Sequence, residues 1–391
     1  SNTVYFPNLN GVRFIAAFSV LIHHIEQVKE VFKIPHFYDN HLIKSMGKLG
    51  VDLFFVLSGF LITYLLLHEK GRYGSINTRD FYIRRILRIW PLYFLIVFLA
   101  FFIFPRIPFF VAPNNEISFM VNNFYSRLSL FLVVLPNLGF ILYGSPYLAA
   151  QTWSIGVEEQ FYYLWPWIIQ RFTWKRLLIT FTVFALGTFG VFYIYYQWVG
   201  NTFHANNVPE IIRFFFSQFR ILTLMTGGAC AALVYYRKEK VLNVLFRKDV
   251  QVAVYALLFL CLGTGFHVNH LNLEFYGLFF GYFILNVSSN PNTIINLEYK
   301  WISYLGKISY GLYIYQTAYI VASIHLIHWA FGHQLSILTF NLILYPLATL
   351  LTVGVSALSF HYFEKPFLKL KERFSQHSTV EHLAKKRNSK P

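Results

Sequence analysis

Apolar stretches of about 18 residues recur along the chain, separated by short polar connections that hold most of its Lys and Arg. Gly11 to Val28 and Val51 to Leu67 open the series. Each is long enough, as a helix, to cross a hydrocarbon layer about 30 Å thick. The pattern predicts an all-α polytopic membrane protein with about ten spans, near 11–28, 50–67, 88–104, 154–170, 177–198, 214–236, 250–267, 271–289, 302–329 and 336–360.

One further apolar segment, Arg127 to Tyr143, is interrupted by Pro136 and Gly139. If it does not span, the basic clusters Lys70 to Arg88, Arg171 to Arg176 and Arg237 to Lys248 all fall on the side of the basic C-terminal tail, as the positive-inside rule requires. The segment is therefore read as re-entrant or interfacial, and both termini as cytoplasmic. Residues 1–370 form a single transmembrane domain in this reading. Residues 371–391 form a basic cytoplasmic tail, and the whole polar stretch from Glu364 onward is expected to lie against an anionic inner leaflet.

Composition sharpens this picture. Hydrophobic residues make up 56% of the chain and charged residues only 13%, about half the charged share of soluble domains. The net charge of +16 does not indicate nucleic acid, because the cations sit in the connections where topology requires them. Cys230 and Cys261 both lie in apolar segments and suggest neither a disulfide framework nor a thiolate metal site. His267 and His270 occupy a short turn without a third ligand at metal spacing, and His325, His328, His333 and His361 read as interfacial, so no metal is expected. The first apolar segment carries Arg13, His23, His24 and Glu26 and is not followed by a small-residue cleavage site. It is read as a retained helix, not a signal peptide.

Ionisable side chains inside spans cost on the order of 3 kcal/mol each, so those retained need a partner, a cavity or a function. Arg13 and His24 are eleven residues, about three turns, apart and project from one face of the first helix, His24 toward the outer side. His23 points about 100° away. Asp52 is expected at the outer mouth of the second span, where Ser58 and Gly59 suit close helix approach. Arg85 and Arg88 are neighbours on one helix face, and two guanidiniums held together suit a phosphate-bearing ligand. Topology alone also explains a basic run at a helix entrance. Ser154 and Glu158 share a face at i, i+4, beside Trp153 as an aromatic anchor, and Arg220 stands in the outer half of the segment ending at Tyr236. A capping or packing role remains open for each of these.

The ordered set LNGVRFIAAFSVLIHH, GVDLFFVLSGFLI, FYIRRILRIWPLY, TWSIGVEEQFY, GKISYGLYIY and FEKPF, running from about residue 8 to 370, resembles the acyltransferase 3 membrane family. The resemblance implies transfer of an acyl group, most often acetyl, from cytoplasmic acyl-coenzyme A to a hydroxyl of an extracytoplasmic or lipid-linked saccharide at the cytoplasmic membrane. By motif, the family's catalytic histidine corresponds to His24. Its paired arginines correspond to Arg85 and Arg88, on the donor side with Arg13, and its acidic position to Glu158. Asp52, Trp153, Ser154 and Arg220 are the remaining substrate-binding candidates. The sequence departs from many members at Gln316, where they carry a histidine. In this reading a counterpart of the outer esterase-like domain found in many relatives is not expected. Either the core suffices, or a separate extracytoplasmic protein completes the transfer.

A hydroxyl needs a base to attack a thioester, and imidazole is suited to that task near neutral pH. His24 is expected to act as base or as a covalent acyl relay, with Glu158 orienting it. A transporter for a lipid-linked sugar would also carry many helices and buried charges, but would move substrate without consuming acyl-coenzyme A. A membrane scaffold would need no His, Glu and Arg set around one cavity.

Overall fold

The computed structural model describes residues 5–113, 123–144, 146–171, isolated positions between 173 and 190, 220–268, 271–332 and 334–374. Every regular element among them is helical. In chain order the α-helices are α1 Leu9–Val31, α2 His41–Tyr73, α3 Thr78–Phe98, α4 Phe124–Leu132, α5 Pro136–Tyr143, α6 Trp153–Arg171, α7 Ile221–Tyr235, α8 Glu239–Leu245, α9 Lys248–Thr264, α10 Asn272–Ser289, α11 Lys300–Lys307, α12 Ser309–Phe331, α13 Ile337–Leu358 and α14 Lys365–Glu372. On length and composition, three helical stretches among the described residues could cross a membrane: His41–Tyr73, Thr78–Arg106 and Ile337–Glu372. Most of the expected span 177–198, the start of the expected span 214–236, His270, His333 and the tail from 375 onward lie outside the described residues.

Several helices start or stop elsewhere than hydropathy alone predicts, because caps decide the ends. α2 begins at His41, well before Gly50, because the Asn40 side chain accepts hydrogen bonds from the Leu42 and Ile43 amides. α3 begins ten residues before Arg88 because Asn77 caps it, accepting from the Asp80 amide. The arginines at 84, 85 and 88 are thus carried on a helix and not in a loop ahead of one. α3 then continues through a π-turn at Leu99–Ile103.

The predicted span 302–329 divides at Ile308 into the short α11, whose Trp301 is exposed, and the long α12. The segment 127–143 becomes two helices of 9 and 8 residues, each too short to span. They are joined by a turn in which Val134 adopts φ 60°, a rare conformation for a β-branched residue.

Packing centres on α2, which contacts α1, α7 and α10. Gly59 on α2 and Gly227 on α7 let those two backbones touch. A Cβ on Gly59 would run into the Leu224 carbonyl, and one on Gly227 into the Val56 carbonyl. α1 is fixed along its axis by Asn8, whose side chain donates to the Val287 carbonyl at 2.8 Å and accepts from the Leu297 amide at 2.6 Å. That anchor sets the height of Arg13, one turn further on. The expected polar tail does not begin at Glu364: α13 runs through a second π-turn, Ser359–Glu364, into α14, which packs on α3.

Candidate active site

Six helices converge on a cavity of about 260 Å³. α1 supplies Arg13, α3 supplies Arg85 and Arg88, and α6 supplies Ser154 and Glu158. α2 contributes an apolar wall that includes Val51 and Phe55, together with the hydroxyl of Ser58. Tyr310 and Tyr313 of α12 close another side, and Lys371 of α14 completes the lining. The helical period explains the selection. Positions 85 and 88, and positions 154 and 158, lie three and four apart and so project together.

Hydroxyl groups organise the acidic side. Tyr162, one turn beyond Glu158, donates to its Oε2 at 3.2 Å and is itself hydrogen-bonded to Ser58. Ser154 Oγ meets Tyr313 Oη at 2.9 Å, and Tyr313 donates to the Gln151 carbonyl at 2.8 Å. Tyr310 donates to the Ile89 carbonyl at 2.8 Å, which fixes α12 against α3 beside the arginines.

The basic side is left with spare donors. Arg13 gives one bond, from Nη1 to Asn10 Oδ1 at 2.8 Å. Nε of Arg85 is buried without an acceptor among the described residues, and its guanidinium lies over the Phe81 ring at 5.7 Å. Among the described residues no carboxylate lies within 4 Å of Arg13, Arg85 or Arg88 as an ion pair. Guanidiniums gathered without a direct ion-pair partner are chemically suited to a multiply charged anion.

The remaining sequence candidates sit elsewhere. His24 is not on the cavity wall. It stands roughly 16 Å along α1 from Arg13, at 1.5 Å per residue, with a buried Nδ1 that has no hydrogen-bond partner among the described residues. Its ring centroid is 5.4 Å from that of His23, whose Nδ1 is bonded to the Ile43 carbonyl at 3.0 Å. The expected contact between Glu158 and His24 is replaced by the bond from Tyr162. The reason is height: Glu158 shares the cavity wall with Arg13 and Arg88, and His24 lies three turns further along α1.

Asp52 is fully buried and faces Arg220, with Nε 3.3 Å from Oδ1, so these two join α2 to the start of α7 and do not line the cavity. Trp153 is also off the wall and packs edge-on against Phe55, which is on it, at 6.1 Å.

Sequence reasoning passed over Tyr162, Tyr310, Tyr313 and Lys371. The i, i+4 spacing of Glu158 and Tyr162 was the available signal for the first. Lys371 gave none, since it reads as one more cation in a basic tail.

A family model described as an acyltransferase domain matches residues 6–361. YrhL of Bacillus subtilis (strain 168), provisionally named a peptidoglycan O-acetyltransferase, is 26% identical over 93% of this chain and 55% of its own. The peptidoglycan O-acetyltransferase OatA of Listeria monocytogenes is 26% identical over 80% of this chain and 49% of its own. The O-acetyltransferase OatA of Staphylococcus aureus (strain NCTC 8325) is 26% identical over 81% and 51%. The chain spans about half the length of the curated relatives it matches. No solved structure matches it.

Proposed function

Because the chain belongs to the acyltransferase 3 family, we propose that it transfers an acyl group, acetyl in the first instance, from cytoplasmic acyl-coenzyme A to a hydroxyl of an extracytoplasmic or lipid-linked saccharide. The observation that carries this reading is the gathering of Arg13, Arg85 and Arg88 on one cavity without an ion-pair partner. Such a site suits the phosphates of a coenzyme A donor. Peptidoglycan, for which two of the relatives are named, is the first acceptor to test.

In this mechanism the donor enters from the side bearing the basic clusters, and its thioester advances along α1 past Val51 and Phe55 toward His24. As base, the His24 imidazole takes the proton of the acceptor hydroxyl while the oxygen attacks the thioester carbon. The C–S bond breaks, and the imidazolium returns its proton to the leaving thiolate. As relay, the imidazole itself attacks, the thiolate leaves, and the acceptor hydroxyl then cleaves the acyl–nitrogen bond. The unpartnered Nδ1 supports either role, since no protein group competes for it among the described residues. Glu158, held by Tyr162, is assigned to balance the cations of the donor pocket. Asp52 and Arg220 are assigned to the acceptor side, together with Trp153.

Purified protein incubated with labelled acetyl-coenzyme A and peptidoglycan fragments, followed by mass measurement of glycan and protein, tests the proposal. One added acetyl group on the glycan, dependent on His24, is expected. A mass gain on His24 itself would select the relay. Unmodified glycan and undiminished acetyl-coenzyme A across a panel of saccharides, with folded protein present, would overturn the reading.

A further inference from the structure

α14 is a short helix at the end of the described chain, and its cations do not behave alike. Lys365 and Lys369 are exposed, as a basic tail beside an anionic leaflet would have them. Lys371 instead is half-buried and lines the same cavity as Arg13, Arg85 and Arg88. The helix is held there from both ends. The π-turn before it leads in from α13, and Arg84 Nη1 donates to the Phe374 carbonyl at 2.8 Å just beyond it. Arg84 is in turn braced by Glu69, 3.0 Å from Nη2.

Lys371 makes no hydrogen bond or ion pair among the described residues, and the charges bearing on it are Arg88, Arg85, Arg84 and Arg13, all of its own sign. Nearby carboxylates are engaged otherwise: Glu158 accepts from Tyr162, and Glu364 accepts from Ser359 Oγ at 3.1 Å. Like charges crowded in a partly desolvated site repel, so a flexible lysine with solvent available has reason to leave unless an anion repays it. Four cations and one wall carboxylate match a ligand with several negative charges.

We propose that Lys371 binds the phosphates of the acyl donor, which makes α14 a wall of the donor site. This rests on the acyl-coenzyme A reading above. The donor's charges lie on its nucleotide end, as a diphosphate bridge and a ribose 3′-phosphate, and its thioester lies at the other end. With the thioester directed along α1, the nucleotide end falls beside α3 and α14, where Lys371 stands.

The test compares full-length wild type with Lys371→Ala, Lys371→Gln and Lys371→Arg in steady-state transfer from acetyl-coenzyme A and from acetyl-3′-dephospho-coenzyme A. Expected for Ala and Gln is a KM for acetyl-coenzyme A raised roughly tenfold, as for loss of one charge-assisted hydrogen bond, with kcat within about twofold and the acceptor KM unchanged. Arg should recover most of the loss. If the penalty vanishes with the dephospho donor, Lys371 contacts the 3′-phosphate; if it persists, the diphosphate. An unchanged donor KM in Ala or Gln protein that melts with wild type would overturn the assignment. Wild type that consumes no acetyl-coenzyme A at all would instead overturn the reading beneath it.

Discussion

The Lys29 ammonium lies 2.7 Å from the Glu26 carboxylate, one turn away on α1, and neither side chain reaches solvent. The same carboxylate accepts from Tyr345 Oη on α13 at 2.6 Å and from the backbone amide of Phe37. Lys29 also faces the Phe37 ring at 5.5 Å. These contacts fasten the end of α1, two residues past His24, to α13 and to the connection leading into α2. A full ion pair inside a helical bundle is costly to bury, and its geometry must be well satisfied to persist.

Removing one partner of that pair strands the other. Lys29→Met is expected to destabilise the protein by about 3–5 kcal/mol, and Glu26→Gln/Lys29→Met together should regain most of the loss. Thermal unfolding in detergent, with both singles and the double, checks this. Singles that melt with wild type would mean the pair contributes nothing.

Part of the cavity is legible in the sequence. Arg85 and Arg88, and Ser154 and Glu158, reach one cavity because helical periodicity alone fixes which side chains share a face. What periodicity does not fix is relative height between helices. Glu158 was therefore expected beside His24 and lies instead among the arginines, and Asp52 found Arg220 across two helices far apart in the chain. Helix ends were misplaced where a cap overrode hydropathy, as at Asn40 and Asn77. Lys371 was invisible because a cation in a basic tail carries no periodic signature.

Tyr162 donates to Glu158 Oε2 at 3.2 Å and is linked onward to Ser58. Tyr162→Phe removes that donor while keeping the ring packed. Transfer is expected to fall about tenfold in kcat/KM for the donor, the range for a lost hydrogen bond to a charged group, and Ser58→Ala should cost less. Initial rates at varied acetyl-coenzyme A decide it, and an unaltered kcat/KM in Tyr162→Phe would remove Glu158 from the donor pocket's machinery.

Among the described residues Asp52 has no hydrogen bond to either carboxylate oxygen, and Arg220 is its ion-pair partner. Arg220→Gln is expected to lower stability by about 3–5 kcal/mol, with the Asp52→Asn/Arg220→Gln double variant recovering part of it. If the pair also serves the acceptor, the double variant will fold but show a raised acceptor KM with an unchanged donor KM. Melting curves report the first effect and two-substrate kinetics the second.

The distance along α1 separates two effects that would otherwise be confused. Arg13 lines the cavity and His24 does not, with about three turns of helix between them. Arg13→Ala should therefore weaken coenzyme A binding several-fold and leave the chemistry at saturating donor nearly intact. His24→Ala should do the reverse, abolishing transfer while the dissociation constant for coenzyme A stays within about twofold of wild type. Calorimetric titration of coenzyme A into both variants, alongside single-turnover transfer, reads both quantities. A large loss of coenzyme A affinity in folded His24→Ala would place the imidazole at the donor's phosphates and not at its thioester, and the division of labour along α1 would have to be redrawn.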